Sequence, residues 1–125
     1  MKIGLYLDDI SMQVLKKGVF VSCEPKESIE ELAPGLPDER MAEIGQIYLV
    51  ANMEKETQGK AKLVDAFVTT FGQPDSRLIE LVGFQHDTEK FRSEYGNFYR
   101  KQFPNVELND ETELFVTIYE PVKDS

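Results

Sequence analysis

Four aromatic residues, Phe91, Tyr95, Phe98 and Tyr99, recur at i, i+4, i+7 and i+8. On a helix that spacing gathers them on one face. Lys90, Arg92, Arg100 and Lys101 lie on or beside the same stretch. Two chemistries fit the pattern. One is a platform on which bases stack while the cations meet phosphate. The other is a stripe buried against a core, with a solvated back. The second is the commoner use of such a stripe and is the favoured reading. Arg92 and Tyr95 fall nearest the stripe's edges on a helical wheel, so they are the positions from which this face could reach a ligand.

The remaining chemistry-bearing residues are sparse. His86 is the only histidine and stands beside Asp87. A general base of that kind needs a nucleophile to serve, and none is apparent. Cys23 ends an apolar run and reads as an inert thiol, because its neighbour Glu24 would not lower its pKa. No cysteine pair and no histidine pair at helical spacing offers a zinc site. Glu27, Glu30 and Glu31, with Asp38, Glu39 and Glu43, lack the alternating ligands and mid-loop glycine of a calcium loop. They read as a solvated acidic face. Gly4, Gly18, Gly35 and Gly45 stand alone, so no phosphate-cradling loop is formed, and there is no Gly-x-Ser-x-Gly elbow. No metal or cofactor is expected.

A chain of 125 residues that is 41% hydrophobic and 30% charged is too apolar for disorder. At that length roughly two-thirds of the unfolded surface is buried, enough for a core without disulfide or metal. One domain is expected over residues 1–120, with a polar tail over 121–125. Only five residues separate Lys2 from the double acid Asp8-Asp9, too few for a signal peptide's apolar region. With a single cysteine and no apolar run of membrane-spanning length, a cytoplasmic location is the expectation. The net charge is −9. It is +1 over residues 1–23, −5 over 24–45, zero over 46–106 and −5 over 107–125. Binding a nucleic-acid backbone draws on a basic patch, and none is obvious. The acid excess reads first as a solubility device.

The elements that must position these residues follow from period and punctuation. A strand is expected over 2–7. Asp8, Asp9 or Ser11 caps a helix to Lys17, with Ile10, Val14 and Leu15 on one face and Gly18 as its C-terminal stop. Val19 to Cys23 is a strand that Pro25 ends. One or two helical turns fit 26–33, and a Pro-Gly turn cluster precedes a short helix from Pro37 or Asp38 to Ile44. Gln46 to Ala51 is a strand, Asn52 to Gly59 a hairpin loop, and 60–71 the strongest strand. Ser76 caps a helix that Gly83 ends. Asp87 or Thr88 caps a longer helix to Gln102, and Leu114 to Glu120 is the last strand. This order fits a small mixed sheet or barrel with helices outside it.

Taken together, the chain resembles the ASCH family, a PUA-like β-barrel superfamily, as a divergent member. Three segments carry the resemblance. Ile10 to Cys23 is similar to the family's helix, glycine and strand entry. Ile44 to Val50 followed by Gly59 to Ala66 looks like its central hairpin. Leu78 to Gly83, Phe91 to Pro104 and Leu114 to Tyr119 look like its closing helices and last strand. The resemblance implies an α+β fold, a small PUA-like β-barrel or strongly bent mixed sheet with flanking helices. It also implies binding of RNA or a nucleoside-like ligand. Some relatives deacylate a modified cytidine with a lysine and a threonine after the helix-ending glycine and an arginine further on. Here Gly18 is followed by Val19-Phe20-Val21-Ser22-Cys23-Glu24. A valine or phenylalanine cannot do a lysine's work, so that chemistry does not carry over.

The resulting expectation is a non-catalytic domain with a cleft between the strand from Val19 and the strand from Gln46, near the helix from Asp87. Tyr48 and Tyr95 would stack on a base, Arg92 would meet phosphate, and Ser22 and Glu24 would hydrogen-bond the base edge. The alternative is an acidic protein-interaction module, of inhibitor or immunity type, whose stretches 24–45 and 107–125 meet a basic partner. A small enzyme using Cys23 or His86 is the third and least favoured reading. No membrane partner is expected.

Overall fold

The computed structural model describes residues 2–84 and 87–122. His86 and the tail from residue 123 lie outside the described residues. Ten elements follow in order: β1 (Lys2–Tyr6), α1 (Asp9–Lys17), β2 (Phe20–Pro25), α2 (Lys26–Leu32), α3 (Leu36–Ala42), β3 (Ile47–Ala51), β4 (Thr57–Thr70), α4 (Ser76–Leu81), α5 (Thr88–Gln102) and β5 (Glu113–Pro121). The strands form one five-stranded sheet of order β1-β3-β4-β5-β2. β1 runs parallel to β3, and β3 antiparallel to β4, so the sheet is mixed. The fold class is α+β, as the pattern of the chain predicts. No helix among the described residues is long and apolar enough to cross a membrane.

The chain divides into two compact units. The first comprises residues 1–21, 40–66 and 117–125, and the second residues 22–39 and 67–116. In the first unit, Tyr48 pairs with Ala61 and Val50 with Gly59 across the β3–β4 ladder. Alternation puts Tyr48, Val50, Ala61 and Leu63 on the buried side. The connection between β3 and β4 is shorter than the expected loop, and β4 begins at Thr57. Asn52 explains this, since its Oδ1 accepts from the backbone of Glu54 (3.0 Å) and Glu56 (2.9 Å). That side chain closes the turn early.

α1 is capped by Asp8, whose Oδ1 accepts from the Ser11 amide at 2.7 Å. Gly18 ends it at φ 154°, ψ −123°, a region that side chains avoid. The buried face corrects the expectation. Met12 and Leu15 are buried, while Ile10 is 77% and Val14 44% exposed. The apolar residues of α1 form two stripes on different sides, and only the stripe through Met12 and Leu15 is buried.

In the second unit, Leu78, Ile79, Phe91, Tyr99, Leu114, Phe115 and Val116 form the core. Six buried residues in succession on β5, from Leu114 to Tyr119, mean that both faces of that strand are covered. α5 is capped by Asp87, which accepts from the Lys90 amide at 3.0 Å. α4 is capped by Asp75, one residue earlier than expected, through the Arg77 amide at 2.8 Å. Phe98 is a second correction: it is 50% exposed and touches Tyr99 only at a tilt. Gly72 approaches the backbone of Asp110 so closely that a Cβ there would lie 2.6 Å from the Asp110 Cβ. Its amide donates to the Asp110 carbonyl at 3.0 Å.

Candidate functional site

The described residues hold two polar clusters, one in each unit. In the first unit, α3 ends over β3. The Tyr48 hydroxyl donates to Glu43 Oε1 at 2.9 Å, and the Arg40 guanidinium sits 4.7 Å from the Tyr48 ring centroid and 3.5 Å from Glu43 Oε1. Tyr119 stands edge-on to Tyr48 at 6.2 Å and stacks on Phe20 at 6.3 Å. Burial works against the charge of Arg40. Tyr119, Tyr48 and Glu43 outweigh it, and the guanidinium stays more firmly protonated than usual. Burial also raises the Tyr48 and Tyr119 hydroxyls. Arg40, Glu43 and Tyr48 thus answer one another. Tyr48 itself is 2% exposed.

In the second unit, Cys23 and Glu24 alternate across β2. Cys23 faces the aromatic helix. The Tyr99 hydroxyl donates to the Cys23 carbonyl at 2.8 Å and lies 3.1 Å from its Sγ. Burial pushes the Cys23 thiol up to about 12, against the Tyr99 hydrogen bond and with help from Glu24. A thiol so held is no nucleophile near neutral pH. Burial also drives Tyr99 upward and takes Tyr95 up to about 12, with the proximity of Cys23 adding to both. Tyr95 stacks on Phe91 at 4.6 Å and meets Phe84 and Tyr99 edge-on.

Ser22 and Glu24, two residues apart, share the other face of β2, the strand that ends the sheet. Both are half-buried. Neither side chain makes a hydrogen bond or ion pair among the described residues. Desolvation alone raises the Glu24 carboxyl above the usual range. The Tyr95 hydroxyl is likewise without a hydrogen bond among the described residues.

Arg92 is engaged from several sides. Its Nη2 pairs with Asp110, its Nη1 lies 3.5 Å from Glu89, and the guanidinium carbon sits 5.5 Å from the Phe71 ring centroid. Its Nε is buried with no hydrogen-bond partner among the described residues. Of the five expected site residues, Ser22, Glu24, Arg92 and Tyr95 lie in the second unit and Tyr48 in the first. Ser22 and Glu24 are brought together on one face of β2. Arg92 and Tyr48 are each held by partners of their own.

Sequence reasoning missed the Arg40–Glu43–Tyr48 cluster and the Tyr99–Cys23 bond. Only the i, i+3 spacing of Arg40 and Glu43 hinted at the first. No group of three or more His, Cys, Asp or Glu side chains among the described residues could hold a metal ion.

No family model and no curated protein matches the chain. Solved structures do. An ASCH domain from Lactobacillus crispatus JV V101 superposes with a TM-score of 0.61 at 12% identity, over 94% of this chain and 79% of that one. A protein of the DUF984 family from Enterococcus faecalis V583 superposes with a TM-score of 0.56 at 10% identity, over 82% of this chain. The chain spans 60% of the length of that second protein. At such identities the likeness shows the fold alone, an α+β fold like that of the ASCH domain.

Proposed function

We propose that this ASCH-like domain is non-catalytic and binds a nucleoside-like small ligand, or the unpaired base of an RNA, at the face of β2 that carries Ser22 and Glu24. The observation behind this reading is that both side chains are half-buried and unpartnered among the described residues. A partly desolvated carboxylate with no donor from the described residues carries a cost, and a ligand that supplies N–H groups relieves it. A base edge presents such donors beside an acceptor that the Ser22 hydroxyl can meet. Tyr95 packs with Cys23 on the opposite side of β2, so it backs the strand rather than stacking on the ligand. Arg92 and Tyr48 act by holding Asp110 and Glu43 rather than by touching the ligand.

The charge favours a neutral ligand over a polyanion. The unit that carries Ser22 and Glu24 has fifteen acidic and six basic residues. A phosphate backbone would be repelled there. The same acid excess favours a second reading, an acidic surface that meets a basic protein. It is strongest at a hollow of about 590 Å³ edged by Glu27, Glu30, Glu107, Glu111 and Glu113.

Calorimetric titration with free nucleosides, and anisotropy with labelled single-stranded RNA at low and moderate salt, test the first reading. Saturable nucleoside binding is expected, with RNA binding that is weaker and not diminished by salt, since salt screens the repulsion of phosphate. Absence of both at low salt contradicts it and favours the basic-protein reading.

A further inference from the structure

The outward side of α1 carries two exposed apolar residues, Ile10 and Val14, among the polar Asp9, Gln13, Lys16 and Lys17. Ile10 and Val14 lie one turn apart and are both exposed, Ile10 the more fully. Lys17 continues the same stripe at i+7. The ends of the helix carry opposite charges, with Asp9 in its first turn and Lys16 and Lys17 in its last. Such a face complements itself when a second copy is laid across it in the reverse direction. Each apolar pair then covers the other, each basic end meets an acidic end, and the helix dipoles oppose.

Charge also distinguishes the unit through which two copies could meet. The unit that holds α1 has eight acidic and eight basic residues, whereas the other unit carries the whole net charge of −9. Two copies meeting through the acidic unit would repel each other, and two meeting through α1 would not.

We propose that two copies of this chain associate through α1, antiparallel about a two-fold axis. Ile10 of each copy covers Val14 of the other, and Lys17 of each lies beside Asp8 and Asp9 of the other. Two nine-residue helices make a small contact, so the association is a weak one.

Sedimentation equilibrium over a wide concentration series tests this. A reversible monomer–dimer equilibrium is expected. Ile10→Lys, at a position that is mostly exposed in the monomer, raises the dissociation constant at least tenfold with the helical circular dichroism unchanged. Lys17→Glu weakens the dimer as well, and Asp9→Lys combined with Lys17→Glu restores it. A wild-type chain that stays monomeric at every concentration overturns the inference. So does a dimer indifferent to Ile10→Lys. A dimer broken by Ile10→Lys but indifferent to Lys17→Glu overturns the antiparallel arrangement.

Discussion

The two units of this chain treat polar groups in opposite ways. The unit built on β1, α1 and β3 balances eight acids with eight bases, and its buried polar cluster is closed, with Arg40, Glu43 and Tyr48 answering one another. The unit built on α4 and α5 carries fifteen acids against six bases and leaves Ser22, Glu24 and the Tyr95 hydroxyl unanswered among the described residues. A closed cluster rigidifies and specifies a core. An open one costs stability and persists where something outside the fold completes it. That contrast is the reason for placing the ligand on the second unit.

Substitutions sharpen the contrast, beginning with the largest effects. Phe91→Ala should cost about 3–5 kcal/mol by denaturant unfolding, because the ring is fully buried and holds Phe84 and Tyr95. Equal stability in the variant would mean that the aromatic core is not the anchor of its unit. Gly72→Ala should cost about 1–3 kcal/mol, since its Cβ meets the backbone of Asp110 and something must move. Tyr99→Phe should cost about 1–3 kcal/mol by leaving the buried Cys23 carbonyl without its donor. In the closed cluster, Tyr48→Phe should cost about 1 kcal/mol, as Glu43 keeps Arg40.

The smallest effect has the most telling sign. Burial raises the Glu24 carboxyl, so the folded chain binds a proton more readily there than the unfolded chain does. The stability tied to this group is present below the ordinary glutamate range and is lost as pH rises through the raised value. Glu24→Gln should therefore flatten stability against pH over that window and raise it slightly at neutral pH. A variant less stable than wild type at pH 7 would show that Glu24 has a structural partner.

Much of this architecture was legible in the chain. Asp8 and Asp87 were readable as caps, and the strands of β3 and β5 as β-branched and aromatic runs. The face of α1 was not, because Ile10–Val14 and Met12–Leu15 are both apolar pairs at helical spacing and periodicity cannot rank them. Phe98 misled for a related reason. It sits at the rim of the aromatic stripe, where a small rotation of the helix decides exposure. For the site, residue type pointed to Ser22 and Glu24, but their lack of partners among the described residues is legible only in three dimensions. The pairing of Arg92 was hidden because Asp110 lies 18 residues away along the chain. So was the closure of Tyr48, whose partners come from the end of α3.

The most direct test of a ligand site on β2 is a ¹H–¹⁵N chemical-shift titration of the whole chain with free nucleosides, for wild type and Glu24→Gln. Saturable shifts are predicted, centred on residues 22–24. The amides of residues 47–51 should stay unmoved, and the response should be lost in the variant. Shifts centred on Tyr48 and Arg40, or none at any concentration, would contradict the placement of the ligand on the second unit.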